Sequence, residues 1–282
     1  MQPPNAAGVL ALERLRWEIV PLKGVEDRIA HLPAGATVTI TSSPAKGIDA
    51  TLALCETVLE SRSDCMVTPH ISARLIRDKA HLSELVHRLD GLGIEDIFVV
   101  AGDPPEPAGR YESGPALLRE LADVGHPFKR IGIPGYPEGH PFISDEDMIR
   151  AMDEKAPYSD YIVSQICYDP TTIERWIKTV RARGITLPIY LGIPGVVDVA
   201  RLLRISVRIG LGDSVRFLRK QRGVVARLVT GYTPNDLVKG LTDVVTNPAN
   251  GVPGWHLCTF NEIQKTEAWR QKVAPQLHRG SE

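Results

Sequence analysis

Asp96-Ile-Phe-Val-Val-Ala-Gly-Asp103-Pro-Pro105 decides how the rest of the chain reads. Ile97 to Val100 are large and apolar without interruption, as in a strand buried on both faces of a parallel sheet. The run stops at Gly102-Asp103, and the two prolines after it forbid any continuation of the ladder. Parallel α/β proteins place their chemistry at the C-terminal ends of such strands. For this strand alone, a turn-capping aspartate explains Asp103 equally well. Recurrence of the pattern is what points to function.

Working outward, Leu15 to Pro21 predicts a first strand with Glu18 set oddly between Trp17 and Ile19. Thr37 to Thr41, Cys65 to His70, Arg130 to Pro134, Asp160 to Asp169, Leu187 to Gly192 and Trp255 to Thr259 predict the other strands. Between them lie helical patterns: Gly47 to Glu60, a helix capped by Ser72 and running to Leu89, Pro115 to Val124, one opening at Ser144, and one opening at Pro170. Val196 to about Val245 reads as a long helical region broken at Gly210-Leu-Gly212 and Thr230-Gly-Tyr-Thr-Pro, with a short helix from Ser214 to Gln221. Asn261 opens a closing helix. Eight strand–helix units predict an α/β fold with an all-parallel sheet, closed as a single (β/α)8 TIM barrel over residues 1–282. Residues 1–11 are a loose leader and residues 275–282 a loose tail. An open doubly wound sheet would carry a Gly-rich dinucleotide turn after its first strand, and Val20-Pro-Leu-Lys-Gly is none.

A formal net charge of −1 gives no electrostatic case for nucleic acid or an anionic membrane, so the expected partner is a small molecule. No apolar run reaches the roughly 20 residues of a membrane span, and the N-terminus lacks signal-peptide character. Cys55, Cys65, Cys167 and Cys258 are far apart and read as core residues of a reducing, cytoplasmic compartment, with no metal expected.

The residues after each apolar run are Glu18, Thr41, His70, Asp103, Tyr136-Glu138-His140, Gln165, Gly192 and Thr259-Asn261. In a barrel they converge on one rim. Thr41, Ser42, Thr259 and Asn261 suit capping, and His70 serves as well as a packed structural histidine as it does as a ligand contact. Glu18, Asp103 and Gln165 resist that reading, because strand-type neighbours predict partial burial. A buried carboxylate without a partner has its pKa pushed up and becomes a candidate general acid. A glutamine amide matches one edge of a nitrogen-rich heterocycle.

Taken in order, these motifs resemble the methylenetetrahydrofolate reductase family over about residues 12–272. The series is Trp17-Glu18-Ile-Val-Pro21, Thr41, Pro69-His70, Gly102-Asp103-Pro-Pro, Tyr136-Pro-Glu-Gly-His140-Pro, Ser164-Gln165-Ile-Cys-Tyr-Asp169, Gly192-Ile-Pro-Gly195 and His256-Leu-Cys-Thr259-x-Asn261. The resemblance implies a barrel that reduces 5,10-methylenetetrahydrofolate to 5-methyltetrahydrofolate with a reduced nicotinamide, through bound FAD. It implies Glu18 as general acid, Asp103 as a catalytic and pterin-binding anion, and Gln165 and Thr259 as substrate contacts. Thr41, His70, Tyr136 and His140 are the implied cofactor contacts.

The departures concern the flavin. An arginine expected before Gly-Asp is Ala101, a tyrosine-glycine after Thr41 is Ser42-Ser43, and a basic cluster is Met152-Asp153-Glu154 with only Lys155 left. Acids where a pyrophosphate would lie are unfavourable. The expectation is therefore a flavin-lacking branch, passing hydride directly from NADH or NADPH, in a monomer or small homo-oligomer. Two alternatives keep the barrel: an FAD-dependent reductase, and a folate-dependent enzyme of one-carbon catabolism. A third, non-enzymatic one is a folate-binding barrel.

Overall fold

Alternate residues of each strand enter different layers, and this division positions the site. In the computed structural model, which describes residues 12, 15–43, 45–208 and 231–279, the strands are β1 (Arg16–Ile19), β2 (Thr37–Ile40), β3 (Met66–Ser72), β4 (Asp96–Val100), β5 (Arg130–Gly135), β6 (Tyr161–Ser164), β7 (Ile189–Pro194) and β8 (Gly254–Cys258). Each pairs in parallel with the next, and β8 returns to β1, closing the barrel. Trp17, Ile19, Val38, Ile40, Ile97, Val99, Ile131, Ile133, Leu191, Ile193, Trp255 and Leu257 join one buried apolar cluster with the helices. Branched side chains suit a pleated surface packed against helices.

The intervening residues fill the barrel. Arg16 on β1 reaches Thr68 on β3, Asp96 on β4 and Tyr161 on β6, contacts possible only across the interior. Phe98, Tyr161 and Val163 form a separate interior cluster. Gly132 belongs to this layer because a Cβ there would overlap the Tyr161 ring. Arg16, Asp96 and Tyr161 stand at the first residues of their strands, so they plug the N-terminal end. Glu18, His70, His256 and Cys258 lie further along β1, β3 and β8, toward the C-terminal end where barrel chemistry sits.

The helices are α1 (Gly47–Ser61), α2 (Lys79–Gly91), α3 (Gly114–Val124), α4 (Asp145–Lys155), α5 (Pro170–Ala182), α6 (Val199–Arg208), α7 (Asn235–Gly240), α8 (Thr242–Thr246) and α9 (Ile263–Arg279). Ser113, Ser144 and Asp169 cap α3, α4 and α5 through their side chains. Among the described residues, no helix is long and apolar enough to cross a membrane.

Three local expectations are corrected. Ser72 caps no helix: it ends β3, and its hydroxyl donates to Ala101 O, while Asp78 caps α2 by accepting from His81 N. The sixth strand ends at Ser164, so Gln165 lies in the following turn. Asn261 precedes α9 in a left-handed conformation (φ 62°), a region asparagine tolerates better than most residues. The leader 1–11, the Gly210-x-Gly212 break, the helix expected from Ser214 to Gln221, and the end of the tail (280–282) lie outside the described residues.

Candidate active site

Glu18 is the centre. Its neighbours on β1, Trp17 and Ile19, face the helices, so pleat alternation turns its carboxylate into the barrel. There Oε2 lies 3.0 Å from His256 Nε2 on β8 and 3.9 Å from His70 Nε2 on β3. The backbone around it is held from β8: Thr259 donates its hydroxyl to Glu18 O (2.7 Å), and Asn261 both accepts from Val20 N and donates to Val20 O at 2.8 Å. The left-handed turn at Phe260 and Asn261 is what aims that amide at β1.

The electrostatics differ from the expected raised pKa. Burial pushes the Glu18 carboxyl up, but the hydrogen bond from His256, the electrostatic attraction of the two imidazoles, and a hydrogen bond from Cys258 together bring it below its ordinary value. Glu18 is thus half of a carboxylate–imidazole pair whose protons belong to the pair. His70 is driven by burial down to about 4, against the attraction of Glu18, and stays neutral. Burial and the Glu18 charge hold the Cys258 thiol well above its usual range.

This wiring makes stability acid-sensitive. The folded chain disfavours protonated His70, so between an unfolded value near 6.5 and a folded value of about 4 the unfolded chain binds more protons. Stability present above that window is lost as pH falls through it, by on the order of 2 kcal/mol from roughly pH 7 to pH 5. Glu18 acts in the same direction at lower pH. Urea midpoints should drop accordingly, and His70→Gln should flatten the slope; an unchanged slope in the variant would assign it elsewhere.

Asp103 is exposed rather than partly buried. It follows β4 on the same rim, near enough to act electrostatically on Tyr136 and His140. Tyr136 is raised to about 12 by burial and then by Asp103, and its ring meets His140 edge-on at 5.3 Å. Gln165 turns its Oε1 to Ile166 N (2.9 Å), and no partner is recorded for its amide nitrogen among the described residues. Thr41 is half-buried at the end of β2. Thr259 is fully buried and donates its hydroxyl to Glu18 O, so it positions β1.

His256 carries no role in the sequence-based expectations, yet it is the partner of Glu18. The available signal was alternation: Trp255 and Leu257 are outward and apolar, which leaves His256 and Cys258 inward on consecutive pleats.

Away from this centre, between the ends of β4 and β5 and helices α3, α4 and α5, lies a cavity of about 830 Å³, lined by Ala101, Tyr136, Met152, Lys155 and Trp176 among others and by none of Glu18, His70, His256 or Cys258. Lys155 is buried there, brought down to about 8 by burial, and its Nζ lies 3.5 Å from Pro134 O. A flavin dinucleotide would bring a pyrophosphate anion to this side. The cavity offers Lys155, Arg175 and Arg183, but also Glu138, Asp145, Asp147 and Asp169, and Arg183 already pairs with Asp153. Ala101 adds no cation. These residues do not fit a pyrophosphate.

Fold and site together define a (β/α)8 barrel with a buried, hydrogen-bonded carboxylate–imidazole pair in its interior. The chain belongs to the methylenetetrahydrofolate reductase family, whose model matches residues 23–273. It is 28% identical over 200 residues to the Zea mays protein named methylenetetrahydrofolate reductase (NADH) 1, covering 63% of this chain and 32% of that one. To Saccharomyces cerevisiae methylenetetrahydrofolate reductase 2 it is 29% identical over 123 residues, 40% of this chain and 20% of the relative. The matched regions thus span a fifth to a third of these relatives. Among solved structures, an uncharacterized Clostridium thermocellum protein that binds two copies of 5-methyl-5,6,7,8-tetrahydrofolic acid superposes with a TM-score of 0.64 at 14% identity, covering 94% of this chain and 98% of that one, a likeness of fold.

Proposed function

We propose that this barrel reduces 5,10-methylenetetrahydrofolate to 5-methyltetrahydrofolate, taking hydride directly from NADH or NADPH without a flavin. The observation that carries this reading is the Glu18–His256 pair, set in the interior of the barrel in a member of this family. A proton from the pair goes to the departing nitrogen of the one-carbon bridge, whose C–N bond breaks to leave a 5-iminium cation. Hydride from the reduced nicotinamide then adds to the iminium carbon, leaving the methyl product and oxidised nicotinamide. Ground-state Glu18 is ionised; folate over the mouth expels water and favours the uncharged form of the loaded pair, with the proton on the carboxyl. Asp103 on the rim stabilises the forming cation, and the Gln165 amide meets the pterin edge. The mixed charges of the cavity that holds Lys155, with Glu138, Asp145, Asp147 and Asp169 among its lining, support the flavin-free version.

The test is oxidation of NADH and of NADPH, dependent on methylenetetrahydrofolate, by freshly purified protein whose spectrum is recorded first. Turnover without a flavin band is the expected result. Turnover only with bound or added flavin would make it a flavoenzyme, and none under either condition would remove the reductase reading. Asp103→Ala should weaken folate binding roughly 10–100-fold, the worth of one charge-assisted hydrogen bond, and slow turnover as well. A titration giving an unchanged Kd would take Asp103 out of the pocket.

A further inference from the structure

The proton-holding centre also brings together a metal-ligand set. Glu18, His256 and Cys258 offer a carboxylate oxygen, an imidazole nitrogen and a sulfur within 4.8 Å of one another. Glu18 and Cys258 are register partners on β1 and β8. Buried His70 aims Nε2, which has no hydrogen-bond partner among the described residues, at the same carboxylate from 3.9 Å. We propose that Glu18, His256 and Cys258 bind a thiophilic divalent ion of the zinc class, and that occupancy blocks the proton donor. Only the second half rests on the reductase reading.

The donor chemistry selects the ion. Zinc takes sulfur at about 2.3 Å and nitrogen or oxygen at about 2.0–2.2 Å, so the edges of its tetrahedron run to roughly 3.3–3.8 Å. The widest separation in the trio, which is no more than 4.8 Å, need close by at most roughly 1–1.5 Å and the Glu18–His256 edge must open slightly, changes within the reach of side-chain rotation. Calcium and magnesium demand mostly oxygen ligands, and this trio supplies a single oxygen-bearing side chain. Carboxylate plus thiolate balance a divalent cation, relieving the burial cost that each anion bears alone. The Cys258 proton leaves to solvent, and the His256 proton passes to Nδ1.

One cost limits affinity. Nδ1 of His256 is buried without a partner among the described residues, whereas ligating histidines ordinarily donate that proton to an acceptor. The site is therefore inhibitory and reversible, not structural. Glu18 keeps 19% of its side chain exposed, which gives the ion a way in from the mouth.

Cobalt(II) is the probe, titrated into the full chain under reducing conditions. A saturable thiolate-to-cobalt charge-transfer band is expected. Cys258→Ser should abolish the band and weaken binding by at least about tenfold, the lower bound for disturbing even an outer-shell partner. Cys55→Ser should leave the band intact, and Cys258→Ala, checked for folding by circular dichroism, repeats the test without adding an oxygen. Absence of the band from the unaltered chain, or its survival in both Cys258 variants, overturns the site. Zinc should displace cobalt and slow folate-dependent nicotinamide oxidation in step with occupancy. Full turnover with zinc bound would overturn the block; a chain with no reductase activity at all still has its metal site decided by the cobalt spectrum.

Discussion

Glu18→Gln should lower kcat for folate-dependent nicotinamide oxidation roughly 10²–10⁴-fold, the usual range for losing a general acid. The substitution is nearly isosteric, and the new amide oxygen can still accept from His256 Nε2, which now sits 3.0 Å from the carboxylate. What it removes is the capacity to carry a proton. Folate affinity, read by titration, should therefore stay within a factor of a few, and thermal stability should change little. Kd rising in parallel with the loss of turnover would recast Glu18 as a binding residue. Full retention of turnover would move the acid to His256 alone. For the unaltered protein, kcat should fall as pH rises, because the carboxyl that donates the proton is then ionised.

How much of this centre could be read beforehand follows from where its determinants lie. The outward residues of the strands, Ile97, Val99, Ile131 and Ile133 among them, carry a local apolar signal that needs no knowledge of the partner strand. The barrel and the placing of Glu18 inside it were legible for that reason. The direction of its pKa was not, since His256 lies 238 residues away and only strand closure brings it within 3.0 Å. Asp103 failed differently. Its strand-like neighbours precede it, but Gly102 turns the chain at a positive φ of 94°, and the carboxylate leaves the barrel before burial can begin. Thr259 looked like any polar residue at a strand end; its hydroxyl is taken by Glu18 O, a long-range bond invisible to local pattern.

The largest effect on stability is expected one interior layer away, toward the N-terminal ends of the strands. Arg16 is 3% exposed and donates to Thr68 at 3.0 Å, Asp96 at 3.1 Å and Tyr161 at 2.7 Å, with its guanidinium 4.5 Å from the Tyr161 ring centroid. Arg16→Met keeps much of the volume and removes every one of those bonds. Breaking a buried ion pair from one side costs about 3–5 kcal/mol, because the remaining charge is stranded. Asp96 is not wholly abandoned, since Tyr161 still donates at 2.8 Å and Arg130 stands 4.0 Å away. The lower half of that range therefore applies, and a Tm lower by on the order of 10 °C follows for a chain of this size. Asp96→Asn combined with Arg16→Met should recover part of the loss, because the stranded charge goes with it. At a temperature where the variant is folded, kcat should stay within a few-fold of the unaltered protein, since Arg16 lies one interior layer from Glu18 and reaches the centre only through its charge on His70. An unchanged Tm would mean that water already solvates Asp96, and a collapsed kcat in folded protein would mean that the two layers are coupled through the interior column of Phe98 and His70, whose rings lie 4.7 Å apart.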